Sequence, residues 1–211
     1  GAVAFATASF IWSAPNDAPQ PMMTLDAALG TAGTLSTEVG GNLALSPDGS
    51  TLVFLAMQAD GSTSLHVRRL DELEARPLPG TFDARQPFFS PDGAWVGFVA
   101  GGKLMKTLVS GSASPSEIAN ASDRLGASWG EDGEIVAKLT PASILWRVSA
   151  AGGEPEPILD TSADGVSLRW PQILPGGGAA LVTAMRGLRS SVEILSLSDG
   201  KRATLLPSGM Y

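Results

Sequence analysis

Ser46-Pro47-Asp48-Gly49 recurs as Ser90-Pro91-Asp92-Gly93, 44 residues further along the chain. A looser copy, Gly130-Glu131-Asp132-Gly133, follows 40 residues later, and Leu174-Pro175-Gly176-Gly177 another 44 after that. What comes after each copy matches too. An apolar stretch is first: Thr51–Met57, Trp95–Ala100, Glu134–Leu139 and Ala179–Met185. A second runs through Leu65–Leu70, Leu104–Val109, Leu145–Ser149 and Val192–Leu197, and a polar turn with a final short apolar stretch closes each unit. The same features in the same order, four times over, define an internal repeat.

The chemistry of the tetrapeptide explains its place in the repeat. Proline presets φ for the second position of a type I turn, aspartate tolerates the third, and glycine takes the left-handed conformation that closes a hairpin. The residues ahead of each turn (Asn42–Leu45, Pro87–Phe89, Ala127–Trp129, Pro171–Leu174) read as an inner strand. Those after it read as a strand apolar at nearly every position, which needs cover on both faces. A sheet stacked between sister sheets has that cover. With 25 glycines and 15 prolines in 211 residues, the chain is punctuated too often for long helices and suits many short strands. The expectation is an all-β chain: a partial β-propeller of about four four-stranded blades, cut from a larger ring. The propeller domain spans 38–211, with blades at 38–80, 81–120, 121–160 and 163–209.

Composition narrows the function. Hydrophobic residues make up 44% and charged residues 17%, an ordinary globular balance. The net charge is −7, and no run rich in lysine and arginine interrupts the acidic background, so nucleic acid is excluded as a partner. The absence of cysteine removes disulfides, thiolate metal sites and cysteine nucleophiles together. Gly1–Trp12 carries no charge and leads into the proline-rich Ser13–Pro21. A spanning helix takes ~20 apolar residues, so residues 1–21 read as the end of a membrane helix, with Trp12 at the interface, followed by a stiff linker. An apolar strand or short helix packed on the domain is the alternative reading.

Candidate chemistry is sparse. No Gly-x-Ser-x-Gly elbow occurs, and the single histidine, His66, stands on an expected strand beside Arg68 and Arg69, so a Ser-His-Asp triad has no material. With one histidine and no cysteine, a metal site would be all-oxygen. Asp48, Asp92 and Asp132 recur in separate hairpins, where turn formation accounts for them; neither metal nor cofactor is expected. A subtler pattern involves arginine. Arg85 lies six residues before Pro91, Arg169 six before Pro175, and Arg124 seven before Glu131, each where an inner strand begins. Guanidinium groups there could ring one mouth of the central channel and hold a carboxylate, a phosphate or an acidic peptide. Gln86 and Trp170 would be adjoining contacts. The competing reading pairs each arginine with a nearby acid such as Asp83 or Asp123.

The stretch Gln86-Pro87-Phe88-Phe89-Ser90-Pro91-Asp92-Gly93-Ala94-Trp95-Val96-Gly97-Phe98 resembles the TolB-like, WD-like propeller repeat. Leu70–Gly80, Phe88–Val99, Leu125–Glu134, Leu145–Ile158 and Arg169–Pro175 further resemble the propellers that follow the kinase domain and membrane helix in bacterial serine/threonine protein kinases. The resemblance runs from about Asn42 to Tyr211. It implies a non-catalytic sensor or binding propeller outside the cytoplasm, anchored in the inner membrane through its N-terminal helix. The expected partner is a protein, a peptide or a small anionic ligand. The kinase's glycine-rich and His-Arg-Asp loops are absent from this chain, so the expectation is that it is not itself an enzyme. Two alternatives are the gating propeller of a prolyl-oligopeptidase-like hydrolase and a TolB-like scaffold of an envelope or transport complex.

Overall fold

The computed structural model describes residues 34–35, 41–58, 60–121 and 126–207. The expected helix end and linker at 1–21 lie outside them, as does Arg124. Among the described residues all regular structure is β-strand, in four antiparallel sheets taken in chain order. The first sheet holds β2 (Leu43–Leu45), β3 (Thr51–Met57), β4 (Thr63–Arg69) and β5 (Arg76–Phe82). A short β1 (Thr34–Leu35) pairs with the far end of β3, on the edge that β2 also uses. The second holds β6 (Arg85–Phe89), β7 (Trp95–Ala100), β8 (Lys103–Leu108) and β9 (Ser116–Asn120). The third holds β10 (Ala127–Trp129), β11 (Glu134–Ala137), β12 (Ile144–Ser149) and β13 (Glu156–Asp160). The fourth holds β14 (Ser167–Ile173), β15 (Ala179–Arg186), β16 (Arg189–Ser196) and β17 (Arg202–Pro207). No helix among the described residues is long and apolar enough to cross a membrane.

The repeated tetrapeptide builds the turn that its residues predict. Gly49 N donates to Ser46 O and Gly93 N to Ser90 O, each at 2.9 Å, with the glycines at φ +72° and +69°. The serine then adds a second lock: its Oγ accepts from Thr51 N in the first sheet and from Trp95 N in the second, each at 2.9 Å. That same hydroxyl donates to the aspartate, Ser46 to Asp48 and Ser90 to Asp92. Serine and aspartate therefore recur together because each orients the other. In the third sheet Gly130 takes the serine's place, and a Cβ there would stand 2.6 Å from Asp132 Oδ1.

Side-chain alternation along the strands sends successive residues to opposite faces and so to different interfaces. Val53, Leu55, Leu65 and Val67 of the first sheet meet Val96 and Phe98 of the second. On the second sheet's other side, Leu104 and Ile118 meet Ile135, Ala137 and Val148 of the third. Val136 and Leu145 of the third meet Ala180, Val182 and Leu195 of the fourth. Each interface is a layer of buried apolar side chains, so the four sheets stack as blades: a partial β-propeller. The blade-facing half of β15 is buried, while Leu181, Thr183 and Met185 on its other face are only partly covered. The two-sided cover expected of every second strand thus stops at the fourth blade, where β17 leaves Leu206 64% exposed.

Candidate functional site

The innermost strands β2, β6, β10 and β14 are neighbours in that order, and they wall a common groove. At the end where the tetrapeptide turns sit, the groove has a volume of about 570 Å³. Its walls are mostly apolar and unusually rich in proline: Pro47, Pro87, Pro91, Pro171 and Pro175, with Phe88, Phe89, Trp129 and Ile173 between them. Its polar lining consists of Ser128, Glu131 and Gln172 side chains, and no lysine or arginine faces it. Ser128 Oγ accepts from Ile173 N at 3.0 Å, tying the third inner strand to the fourth.

Halfway along the inner strands a bulge recurs, between Arg85 and Phe88 and again between Arg169 and Gln172. It puts Gln86 at φ +53° and Trp170 at φ +47°, left-handed positions that non-glycine residues occupy only when their surroundings enforce it. Gly126, at φ +98°, takes the corresponding place in the third blade. The three are joined. Gly126 N donates to Gln86 Oε1 at 3.1 Å, and a Cβ on Gly126 would stand 2.7 Å from Trp170 Cα. Together with Gly41 and Gln172 they surround a cavity of about 160 Å³. Trp170, 39% exposed, presents its indole there, while Gln86 is buried.

Of the residues singled out from sequence, Gln86 and Trp170 are therefore brought together. The arginines are placed differently. Arg85 lines a separate pocket of about 290 Å³ with Asp83 and the Gly101–Gly102 turn of the second blade. Arg169 Nε donates to Ser167 Oγ on its own strand at 3.3 Å. Counting back from the turns puts Leu125, not Arg124, in register with Arg85 and Arg169.

His66 is buried in the first blade. Gln58 Nε2 donates to its Nε2 at 3.2 Å, the Phe54 ring lies 5.9 Å away, and burial lowers the imidazole pKa. Neither a serine nor a carboxylate reaches it within the described residues. Among those residues no group of three or more histidine, aspartate or glutamate side chains is placed to hold a metal. Asp48 is held at about 2 by its own turn, first by the Ser46 hydroxyl and then by Ser50. Asp92 is lowered in the same way by Ser90.

A second set of polar residues left no repeated identity in the sequence. Lys106 Nζ donates to Ala150 O at 2.7 Å and Arg147 Nη2 to Leu197 O at 3.2 Å, each crossing to the next blade. Arg76 Nη2 does the same for Val109 O at 3.0 Å. The three carbonyls are structurally equivalent: Val109, Ala150 and Leu197 each donate their own N–H to the residue that precedes their sheet's second strand. A basic side chain thus caps the same carbonyl at every blade interface. Only Lys106 and Arg147 share a position, three residues before the equivalent carbonyl of their own blade; Arg76 comes from an outer strand.

Fold and groove together define a partial β-propeller whose inner strands wall a common groove. No protein-family model matches the sequence, and no curated protein matches it. Solved structures do. A putative TolB from Agrobacterium tumefaciens is 17% identical with a TM-score of 0.70, covering 86% of this chain and 68% of its own. TolB from Acinetobacter baumannii is 15% identical with a TM-score of 0.65, covering 80% of this chain and 43% of its own. A prolyl endopeptidase is 14% identical with a TM-score of 0.55, covering 80% of this chain and 29% of its own. The chain therefore spans less than half of the second TolB and under a third of the peptidase.

Proposed function

We propose that this chain is a non-catalytic binding propeller that receives a protein or peptide segment in the groove at the turn-bearing end of its inner strands. The observation that carries the reading is the groove itself. All four repeats contribute to its walls, it is apolar, and a volume of about 570 Å³ is of the size that takes a few side chains. Trp170, half-exposed at the adjoining cavity, is the anchor a bound segment would meet there. The sequence resemblance and the apolar Gly1–Trp12 stretch support the finer reading: an extracytoplasmic sensor anchored in the inner membrane and attached to a kinase or a similar membrane protein. The arginine positions Arg85 and Arg169 are kept as the competing site for an anionic ligand.

The test is a peptide-binding screen on wild type, Gln172→Trp and the Arg85→Ala/Arg169→Ala pair. Gln172 is exposed and lines both the groove and the adjoining cavity, so an indole there blocks the path without disturbing a buried contact. Loss of binding in Gln172→Trp, with the arginine pair unaffected, is the expected result. Loss in the arginine pair alone would move the site to the other end of the inner strands.

A further inference from the structure

We infer that the segment taken up by the groove is cationic, with an arginine or lysine flanked by apolar residues held at the rim formed by the tetrapeptide turns. The inference rests on the groove being the binding site and adds the charge of its occupant. Three observations lead to it.

The first is the sign of the rim. Three of the four turns carry carboxylates, Asp48, Asp92, and the pair Glu131 and Asp132, all exposed. Asp48 and Asp92 are kept ionised by their own turn hydroxyls. Arg85 and Arg169 stand near the beginnings of β6 and β14, away from the turns that follow those strands, and no basic residue lines the groove. The second is Glu131. It lines the groove, is exposed, and makes neither a hydrogen bond nor an ion pair among the described residues. A neighbouring carboxylate with a turn role, such as Asp92, is explained by local structure; Glu131 is not.

The third is a side pocket of about 260 Å³ that opens from the groove between the second and third blades. It shares Pro91, Trp129 and Glu131 with the groove, and adds Trp95 and Asp92. Two indoles and two carboxylates around one pocket suit a guanidinium or ammonium group, which gains from contact with an aromatic ring and from the opposite charges. The chain already makes one such contact, with Lys106 Nζ 4.8 Å above the Trp95 ring. Lys106 is turned to Ala150 O and does not line the pocket, so the Trp129 side is left for a ligand. The carboxylates of Asp48, Asp92, Glu131 and Asp132 disfavour an anionic ligand at this rim.

The test uses isothermal titration of the full 211-residue chain with three probes: acetyl-Leu-Arg-Leu-amide, its Glu counterpart and its Gln counterpart. The Arg probe is expected to bind most tightly. Glu131→Gln should weaken it by about 1.5-fold to fivefold, the range of an exposed charge contact, and leave the Gln probe unchanged. Glu131→Lys should reverse the preference in favour of the Glu probe. Glu131 is exposed in a turn, and circular dichroism checks each variant's fold; Glu131→Gln carries the test if the charge reversal does not fold. Equal binding of all three probes, unchanged in either Glu131 variant but abolished in Gln172→Trp, would overturn the charge inference and leave the groove as the site. Binding that survives Gln172→Trp, or no saturable binding of any probe, would overturn both.

Discussion

Replacing Gly97 by alanine puts one methyl group where the Phe88 ring lies. A Cβ at that position would stand 2.2 Å from Phe88 Cζ and 2.5 and 2.7 Å from the two Cε atoms. The residues are cross-strand partners in the second blade, and the ring covers the glycine. Gly97 is not at positive φ, so the cost of alanine is steric and not conformational. Carbon atoms rest at ~3.5–4.0 Å, so the ring must withdraw by more than about 1 Å. Its retreat is limited by Trp129 of the next blade, whose ring centroid is 6.3 Å away. Overpacking of this kind costs ~1–3 kcal/mol, and for a domain of this size each kcal/mol lowers Tm by ~2–4 °C. Gly97→Ala should therefore melt roughly 2–12 °C below wild type in calorimetry. In a Phe88→Ala background the same substitution should cost almost nothing, because the clash is gone. An unchanged Tm, or an equal loss in both backgrounds, would refute the steric account.

Removing the inter-blade caps, Lys106→Met and Arg147→Met, should each cost about 1–2 kcal/mol in urea denaturation, since each leaves a carbonyl at a blade interface without its charged donor. Gly126→Ala should cost at least as much, about 1–3 kcal/mol, because it combines a positive φ with a contact of 2.7 Å to the Trp170 backbone; Gln86→Ala, which removes only one hydrogen-bond acceptor, should cost less. Ser46→Ala should raise the Asp48 pKa from about 2 towards the ordinary carboxylate value, read by carbon-13 chemical-shift titration. A carboxyl depressed in the folded state stabilises the fold above the unfolded pKa near ~4 and loses that contribution as pH falls through its folded value. The stability gap between wild type and Ser46→Ala should accordingly narrow as pH is lowered from about 4 to about 2.

The blade pattern was legible because its determinants are local. The turn tetrapeptide at 46–49 and 90–93 states its own geometry, and the apolar runs at 51–57 and 95–100 coincide with β3 and β7. The site was legible only in part. Gln86 and Trp170 were singled out only as neighbours of the arginines, and what joins them is a left-handed bulge that no residue type announces. The signal available was Gly126 in the same register, immediately before β10, together with proline after both Gln86 and Trp170. Arg85 and Arg169 share a register position, but their side chains depend on what each blade places nearby, Asp83 in one case and Ser167 in the other. The inter-blade caps escaped because the cation changes identity between Lys106 and Arg147 and comes from an outer strand for Arg76; only the accepting carbonyl recurs at all three interfaces. The acidic rim, by contrast, was visible as the recurring Asp48, Asp92 and Asp132, but turn formation explained those residues, and the groove that gives their charge a target exists only once the blades are stacked.

The central claim, that the groove between the inner strands is the binding site, is tested most directly by fluorine NMR of protein labelled with 5-fluorotryptophan. The chain has five tryptophans, each assignable by substitution. Trp129 lines the groove, Trp170 the adjoining cavity, and Trp95 the side pocket, whereas Trp146 packs in the core between the second and third blades. On titration with acetyl-Leu-Arg-Leu-amide, the account predicts saturable shifts at Trp129, Trp95 and Trp170 with Trp146 unmoved. Saturable binding that leaves Trp129 and Trp170 unshifted would contradict it.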